Sequence, residues 1–191
     1  AKRGEKIAFI GSNGTGKSTM LKVLQNIIPH NKGVIDWAEK VKISYFDQEG
    51  ANLNPENTVI NELHNRNRTM LDKEIRGALG RVRLTGENVF KKVGAISGGE
   101  RAKLCFAIMI EERGNVLILD EPTNHLDLVS KEELEEALCK FDQTIFFVSH
   151  DRYLLNRLAT RIIEIDDGEI VDYPYGFSEY MNAQREKMKA E

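Results

Sequence analysis

Apolar residues along this chain fall into two patterns, short unbroken runs and sets spaced three or four apart. Ile7-Ala8-Phe9-Ile10, Val116-Leu117-Ile118-Leu119 and Thr144 to Val148 are runs too apolar to alternate, which predicts strands buried on both faces of a parallel sheet. Val34–Trp37 and Val41–Phe46 read as two more strands joined by a polar turn. Arg161–Ile165 and Glu169–Val171 flank Asp167-Gly168, a hairpin signal. Helical spacing predicts helices from Lys17 to about Asn26, around Ile75, Leu79 and Val82, and around Leu104, Ile108 and Met109. Another runs from Ser130 to about Phe141, with Ser130 and Glu133 at capping-box spacing and Leu134, Leu138 and Phe141 on its inner face. From Asn52 to Asn67 the chain turns polar, and from Ser178 onward it reads as a charged helical tail. Strands alternating with helices predict a layered α/β domain with a largely parallel sheet, interrupted by a helical middle third.

Composition narrows the picture only slightly. The 191 residues are 41% hydrophobic and 30% charged, as in ordinary soluble domains. A net charge of −3 gives no general attraction to nucleic acid. Arg76, Arg81, Arg83, Lys91 and Lys92 form the one candidate basic face, read here as ordinary solvated surface. No apolar run approaches the ~20 residues of a membrane-spanning helix, and the start has no signal-peptide pattern. Cys105 and Cys139 lie within apolar stretches and read as two buried thiols of a reducing, cytoplasmic compartment. His30, His64 and His125 have no metal-ligand spacing between them.

Directly after the first apolar run comes Gly11-Ser12-Asn13-Gly14-Thr15-Gly16-Lys17-Ser18-Thr19. The stretch fits G-x-x-x-x-G-K-[ST], with a strand before it and a helix after it, the context a phosphate cradle requires. Glycines let successive N–H groups curl toward phosphate oxygens, and the helix N-terminus adds partial positive charge at the same spot. Lys17 would then bridge the β- and γ-phosphates and the Ser18 hydroxyl would ligate Mg²⁺. Asp120 and Glu121 end the second buried strand. One can hold the metal and the other can polarise a water for attack on the γ-phosphate. Two acids there would also serve simply to cap the next helix.

Four further segments resemble the ABC ATPases. "ISGGERAK" (96–103) is similar to their signature sequence, and "LILDEPTNHLD" (117–127) to their second nucleotide motif with its D-loop. "FFVSHD" (146–151) resembles their switch-histidine segment, and Gln48 in "YFDQE" stands where the family has its Q-loop glutamine. With the glycine loop these elements follow the family's order from Gly11 to Asp151. Ser97 and Glu100 also have capping-box spacing, but a cap alone does not demand Gly98-Gly99.

The resemblance implies an α/β P-loop NTPase: a mostly parallel sheet flanked by helices, an inserted α-helical subdomain, and a small remnant of an antiparallel β-subdomain. It implies an ATPase domain over residues 1–177, with a core of 1–48 and 114–177, a helical subdomain of about 50–113, and 178–191 as tail or linker. ATP and Mg²⁺ are the implied cofactors. Gly11 to Thr19 and Gln48 would bind the nucleotide, with Ser18, Gln48 and Asp120 at the metal. Glu121 would act as base and His150 would orient the γ-phosphate and water. Ser97, Gly98, Gly99 and Glu100 would complete the site of a facing ABC domain, supplied by the same full-length chain or by a second copy.

"PTNHLD" followed by "SHDRYLLNRLATRIIEIDDG" looks most like the ABC-F branch, whose members are soluble, carry two ATPase domains and in many cases act on ribosomes. About 49 residues from Gln48 to Ser97 leave no obvious room for the extra arm of that branch's first domain, and "SGGER" also favours the second. The tail "YPYGFSEYMNAQREKMKAE" is more like the linker after a first domain, so the balance tilts only modestly to the second. The phosphate strand begins at Ile7, ahead of which the family's adenine-stacking strand region has no place, so a fragment is expected. A cytoplasmic, ribosome-associated ATPase without membrane insertion is the first functional expectation. The motor subunit of a membrane transporter is the alternative, and a nucleotide-gated module without hydrolysis is disfavoured by Glu121.

Overall fold

A computed structural model of the chain describes residues 1–46, 53–124, 126–166 and 168–190. Numbered in chain order, the elements are β1 (Lys6–Ile10), α1 (Lys17–Leu24), β2 (Ile43–Phe46), α2 (Val59–Arg66), α3 (Asp72–Arg81), α4 (Gly98–Glu111) and β3 (Val116–Asp120). They continue as α5 (Leu128–Lys140), β4 (Thr144–Val148), α6 (Arg152–Leu158), β5 (Arg161–Asp166), β6 (Glu169–Tyr173) and α7 (Phe177–Ala190). The chain divides into two compact units, one of Ala1–Ile43, Asn115–Glu121 and Asp142–Glu191, the other of Ser44–Gly114 and Pro122–Phe141.

In the first unit the strands lie in the order β3-β4-β1-β5-β6, and β2 begins beyond β3 at Ile43. The pairs β3–β4, β4–β1 and β1–β5 are parallel, and β6 returns antiparallel to β5. The three unbroken apolar runs therefore became neighbouring central strands, because only a position covered on both faces uses a strand that is apolar on both. Ile7, Phe9, Ile118, Phe146 and Val148 pack with Leu21 of α1 into one core. Val148 stands opposite Phe9 on one side and Asp120 on the other. That register brings the C-terminal ends of β3, β4 and β1 level with one another.

The segment predicted as a strand over Val34–Trp37 forms none. Val34 is exposed, while Trp37 sets its ring edge-on against Phe146 at 5.9 Å and donates its indole N–H to the Leu24 carbonyl at 3.3 Å. Trp37 thus fastens the end of α1 through its side chain rather than pairing through its backbone. The predicted strand from Val41 shortens to Ile43–Phe46. Gly168, at φ +79, sits between β5 and β6, while Asp167 of that turn lies outside the described residues.

Helix α7 packs on β5 and α6. Phe177 and Tyr180 are buried, and the Tyr180 hydroxyl donates to Glu164 Oε1 at 2.5 Å. Gln184 Nε2 and the Tyr173 hydroxyl both donate to Glu164 Oε2, at 3.1 Å each. Burial, with that carboxylate close by, pushes the Tyr180 phenol well above its usual value.

The second unit is helical. The stretch read only as polar over 52–67 contains α2, which puts Val59 and Leu63 on one buried face and is capped by Thr58 accepting the Asn61 N–H. Helix α4 begins with the full capping box: Ser97 Oγ accepts the Glu100 N–H at 3.2 Å, and Glu100 Oε2 accepts the Ser97 N–H at 2.9 Å. Helix α5 starts two residues earlier than Ser130, because Asp127 is its N-cap and takes the Ser130 N–H on Oδ1 at 3.0 Å. Glu133, expected to complete a capping box with Ser130, instead pairs with Lys103 and lies 3.7 Å from Arg83. Arg83 also meets Glu136 at 3.1 Å, Arg81 meets Glu111, and Lys92 meets Glu56 at 2.7 Å, so most of the candidate basic face is neutralised by acids. The expectation of two buried thiols fails, since Cys139 is exposed and Cys105 only half-buried.

Candidate active site

The site is assembled from the ends of three adjacent strands in the first unit. From β1 the chain enters the glycine loop at Gly11, where φ is +142. A Cβ there would run into the Ile165 carbonyl, so strand β5 leaves room for glycine alone. Gly14 and Gly16 also take positive φ, and Gly16, at +100, is the residue that opens α1. The loop ties itself with the Thr15 hydroxyl, which donates to the Ser12 carbonyl at 3.0 Å.

Lys17 lies beneath this turn, 7% exposed, its ammonium donating to the Gly11 carbonyl at 2.9 Å and the Ser12 carbonyl at 2.7 Å. Two of its three N–H groups thereby hold the curl, and the third is left for a further acceptor. Helix α1 has no side-chain cap and no acid in its first turn. The positive end of its dipole, with the first-turn amides, is thus left for an anion from elsewhere. Ser18 and Thr19 are exposed at that end, and Ser12, Asn13 and Gly14 at the loop's crest.

Asp120 closes β3, half-buried and paired in register with Val148. Glu121 follows with φ +48, a left-handed conformation unusual for a glutamate. Its N–H donates to the Val148 carbonyl at 3.0 Å, extending the ladder by one bond while the chain turns away. Its Oε2 accepts the backbone N–H of His150 at 3.3 Å, and the His150 Nε2 lies 3.5 Å from Oε1. Oε1 is buried and has no hydrogen-bond partner among the described residues. His150 itself is largely exposed, just past β4. Below it Ser149 is buried, its Oγ accepting the Asp151 N–H at 3.0 Å, and Asp151 caps α6 by accepting the Tyr153 N–H at 2.8 Å.

Of the residues singled out from sequence, the strand ends of the first unit gather Gly11 to Thr19, Asp120, Glu121 and His150. Ser97, Gly98, Gly99 and Glu100 belong to the second unit, at the start of α4. Gln48 and His125 lie outside the described residues. Sequence reasoning missed the left-handed Glu121, which no residue type announces, and the pairing of Asp127 with Ser130. The latter had a signal in the D-x-x-S spacing of an N-cap. Among the described residues no group of three or more His, Cys, Asp or Glu could hold a metal, and no helix is long and apolar enough to cross a membrane. A divalent cation near Ser18 and Asp120 would thus take a hydroxyl and one carboxylate from the protein. That sparse set suits a metal which keeps waters and phosphate oxygens as ligands.

Residues 1–124 match the family described as ABC transporter. The chain is 43% identical over 189 residues to the putative ATP-binding protein YdiF of Bacillus subtilis, covering 99% of this chain and 29% of that one. It is 40% identical to ABC transporter F family member 5 of Arabidopsis thaliana, covering 94% of this chain and 26% of the relative. With the energy-dependent translational throttle protein EttA of Haemophilus influenzae it shares 37% identity, over 93% and 33% of the two chains. The chain therefore spans roughly a quarter to a third of the length of these relatives. Among solved structures, it resembles a dimeric ATP-binding cassette in a post-hydrolysis state bound to ADP and Pi, with TM-score 0.74, 25% identity and coverage of 92% and 88%. Pattern and fold agree with these likenesses: the chain belongs to the ABC transporter family, as an ATP-binding cassette domain with relatives in its F branch.

Proposed function

We propose that this domain hydrolyses ATP as one half of a paired ABC ATPase, and that it serves translation rather than transport. The observation that carries the first part is the convergence of the glycine loop, Asp120–Glu121 and His150 on three level, adjacent strand ends. In this reading the loop amides and the α1 dipole hold the triphosphate, and the third N–H of Lys17 reaches the β- and γ-phosphate oxygens. Ser18, Asp120 and Gln48 hold Mg²⁺, which when bound neutralises phosphate charge. Glu121 Oε1, buried and unpartnered, accepts the proton of a water as its oxygen bonds to the γ-phosphorus. The bond to the β–γ bridging oxygen breaks and ADP leaves. His150, beside that carboxylate, orients the water and the γ-phosphate. Ser97, Gly98, Gly99 and Glu100 act on the nucleotide of a facing ABC domain, so one chain supplies one half of each of two sites. The dimeric state of the similar cassette bound to ADP and Pi supports the pairing.

Translation is favoured over transport by the relatives named as F family members and as a translational throttle protein. The intact protein carrying Glu121→Gln should cosediment with ribosomes when ATP is present and not when ADP replaces it. Absence from the ribosomal pellet, together with capture by a membrane fraction, would turn the proposal to the transporter motor. Wild-type phosphate release no faster than that of the Glu121→Gln protein would reject Glu121 as the base, and no release above the protein-free rate would reject hydrolysis itself.

A further inference from the structure

The two glycines at the start of α4 are not equivalent. Gly98 is exposed, and a Cβ there would meet nothing within 4 Å. Gly99 is buried, and a Cβ there would run into Ser130 Oγ, 2.7 Å from Ser130 Cβ and 3.0 Å from Asp127 Oδ2. The first turn of α4 therefore rests directly on the N-terminal cap of α5, within one unit. That cap is tight: Asp127 takes the Ser130 N–H on Oδ1 at 3.0 Å and the Ser130 hydroxyl on Oδ2 at 2.7 Å.

Two helix N-termini placed against each other bring two partial positive charges together, which is unfavourable unless an anion lies between them. The Asp127 carboxylate lies there, bonded into the first turn of α5 and beside Gly99 of α4. The Ser130 bonds hold its carboxyl below the usual range, so it stays charged at neutral pH.

We propose that Asp127 and Ser130 are positioning residues for the signature turn. Together they set where Ser97, Gly98 and Gly99 present their groups, and Gly99 is glycine because Ser130 occupies the space of its Cβ. Gly98 has no such internal requirement, so its missing side chain serves whatever approaches from outside the chain. The inference rests on the paired-ATPase reading for its functional half, while the packing half stands without it.

A double-mutant cycle separates the two. In the 191-residue chain, Gly99→Ala should lower Tm by about 5 °C or more. In a Ser130→Gly background, which removes the two nearest atoms and frees the Asp127 carboxylate to shift, the same substitution should shift Tm by less than about 2 °C. Gly98→Ala should leave Tm unchanged. An equal cost for Gly99→Ala in both backgrounds would overturn the spacer role. If Gly99→Ala alone fails to fold, the double variant must recover folding, and its failure to do so when Ser130→Gly folds would overturn the role equally. In the intact protein, Asp127→Asn and Ser130→Ala should lower kcat for ATP at least tenfold. The affinity for ATP at this chain's own loop should stay within twofold. Wild-type kcat in both variants would overturn the positioning role whatever their Tm. If the wild-type intact protein itself releases no phosphate, the ATPase reading fails, and the Tm cycle still decides the packing claim.

Discussion

Glu121 occupies a backbone conformation that usually costs a non-glycine residue about 1–3 kcal/mol. The turn it makes is what lifts its carboxylate off the line of β3 and onto the His150 N–H. Glu121→Gly should therefore leave Tm unchanged or higher while removing the group proposed as base, and a Tm lowered by more than about 4 °C would show that the conformation is not strained. Lys17 carries the opposite balance, since its ammonium ties the loop and on the proposed reading would also face the phosphates. Lys17→Ala should weaken ATP binding at least a hundredfold by titration calorimetry, and affinity near wild type would exclude the cradle. The loop residues were legible from the sequence because glycine spacing and a lysine are chemistry written in residue types. The conformation at Glu121 was not, because it follows from the partner strand β4 rather than from any local residue.

Elements were readable wherever one pattern dominated. Val116–Asp120 and Thr144–Val148 could be placed because an unbroken apolar run fits few environments. Val34–Trp37 misled because two apolar residues at even spacing also suit a loop anchored by one indole. The start of α5 was misplaced because Asp127 and Ser130 are both good caps, and it is the Asp127 carboxylate that takes the Ser130 N–H. The β5–β6 hairpin is fastened by Arg161, whose guanidinium contacts Asp172 Oδ1 and Oδ2 at 2.8 and 2.5 Å and Glu5 at 3.4 Å. Arg161 holds the Asp172 carboxyl below its ordinary value. A depressed carboxyl stabilises the fold above its unfolded pKa of about 4, and that stability is lost as pH falls through the folded value. Asp172 is half-exposed, so solvent screening keeps the pair to about 1 kcal/mol or less. Asp172→Asn should accordingly lower Tm by a few degrees at pH 7. The gap to wild type should close below about pH 4, and a gap unchanged at pH 3 would show that charge plays no part.

At the scale of the whole molecule, the first unit carries the glycine loop, Asp120, Glu121 and His150, and the second carries Ser97, Gly98 and Gly99 at the start of α4. On the paired reading the chain alone binds ATP and turns it over poorly. The complement comes from another ABC domain, as the dimeric cassette of similar fold suggests. The order of the motifs was legible in the sequence. It could not show that Gly99 faces inward while Gly98 faces out, because that difference appears only when two helix ends meet. The most direct test of the account is a comparison of ATP binding and single-turnover phosphate release by the intact protein with and without Glu121→Gln. ATP affinity should stay within threefold of wild type while phosphate release slows at least a hundredfold. Release at the wild-type rate from the substituted protein would contradict it.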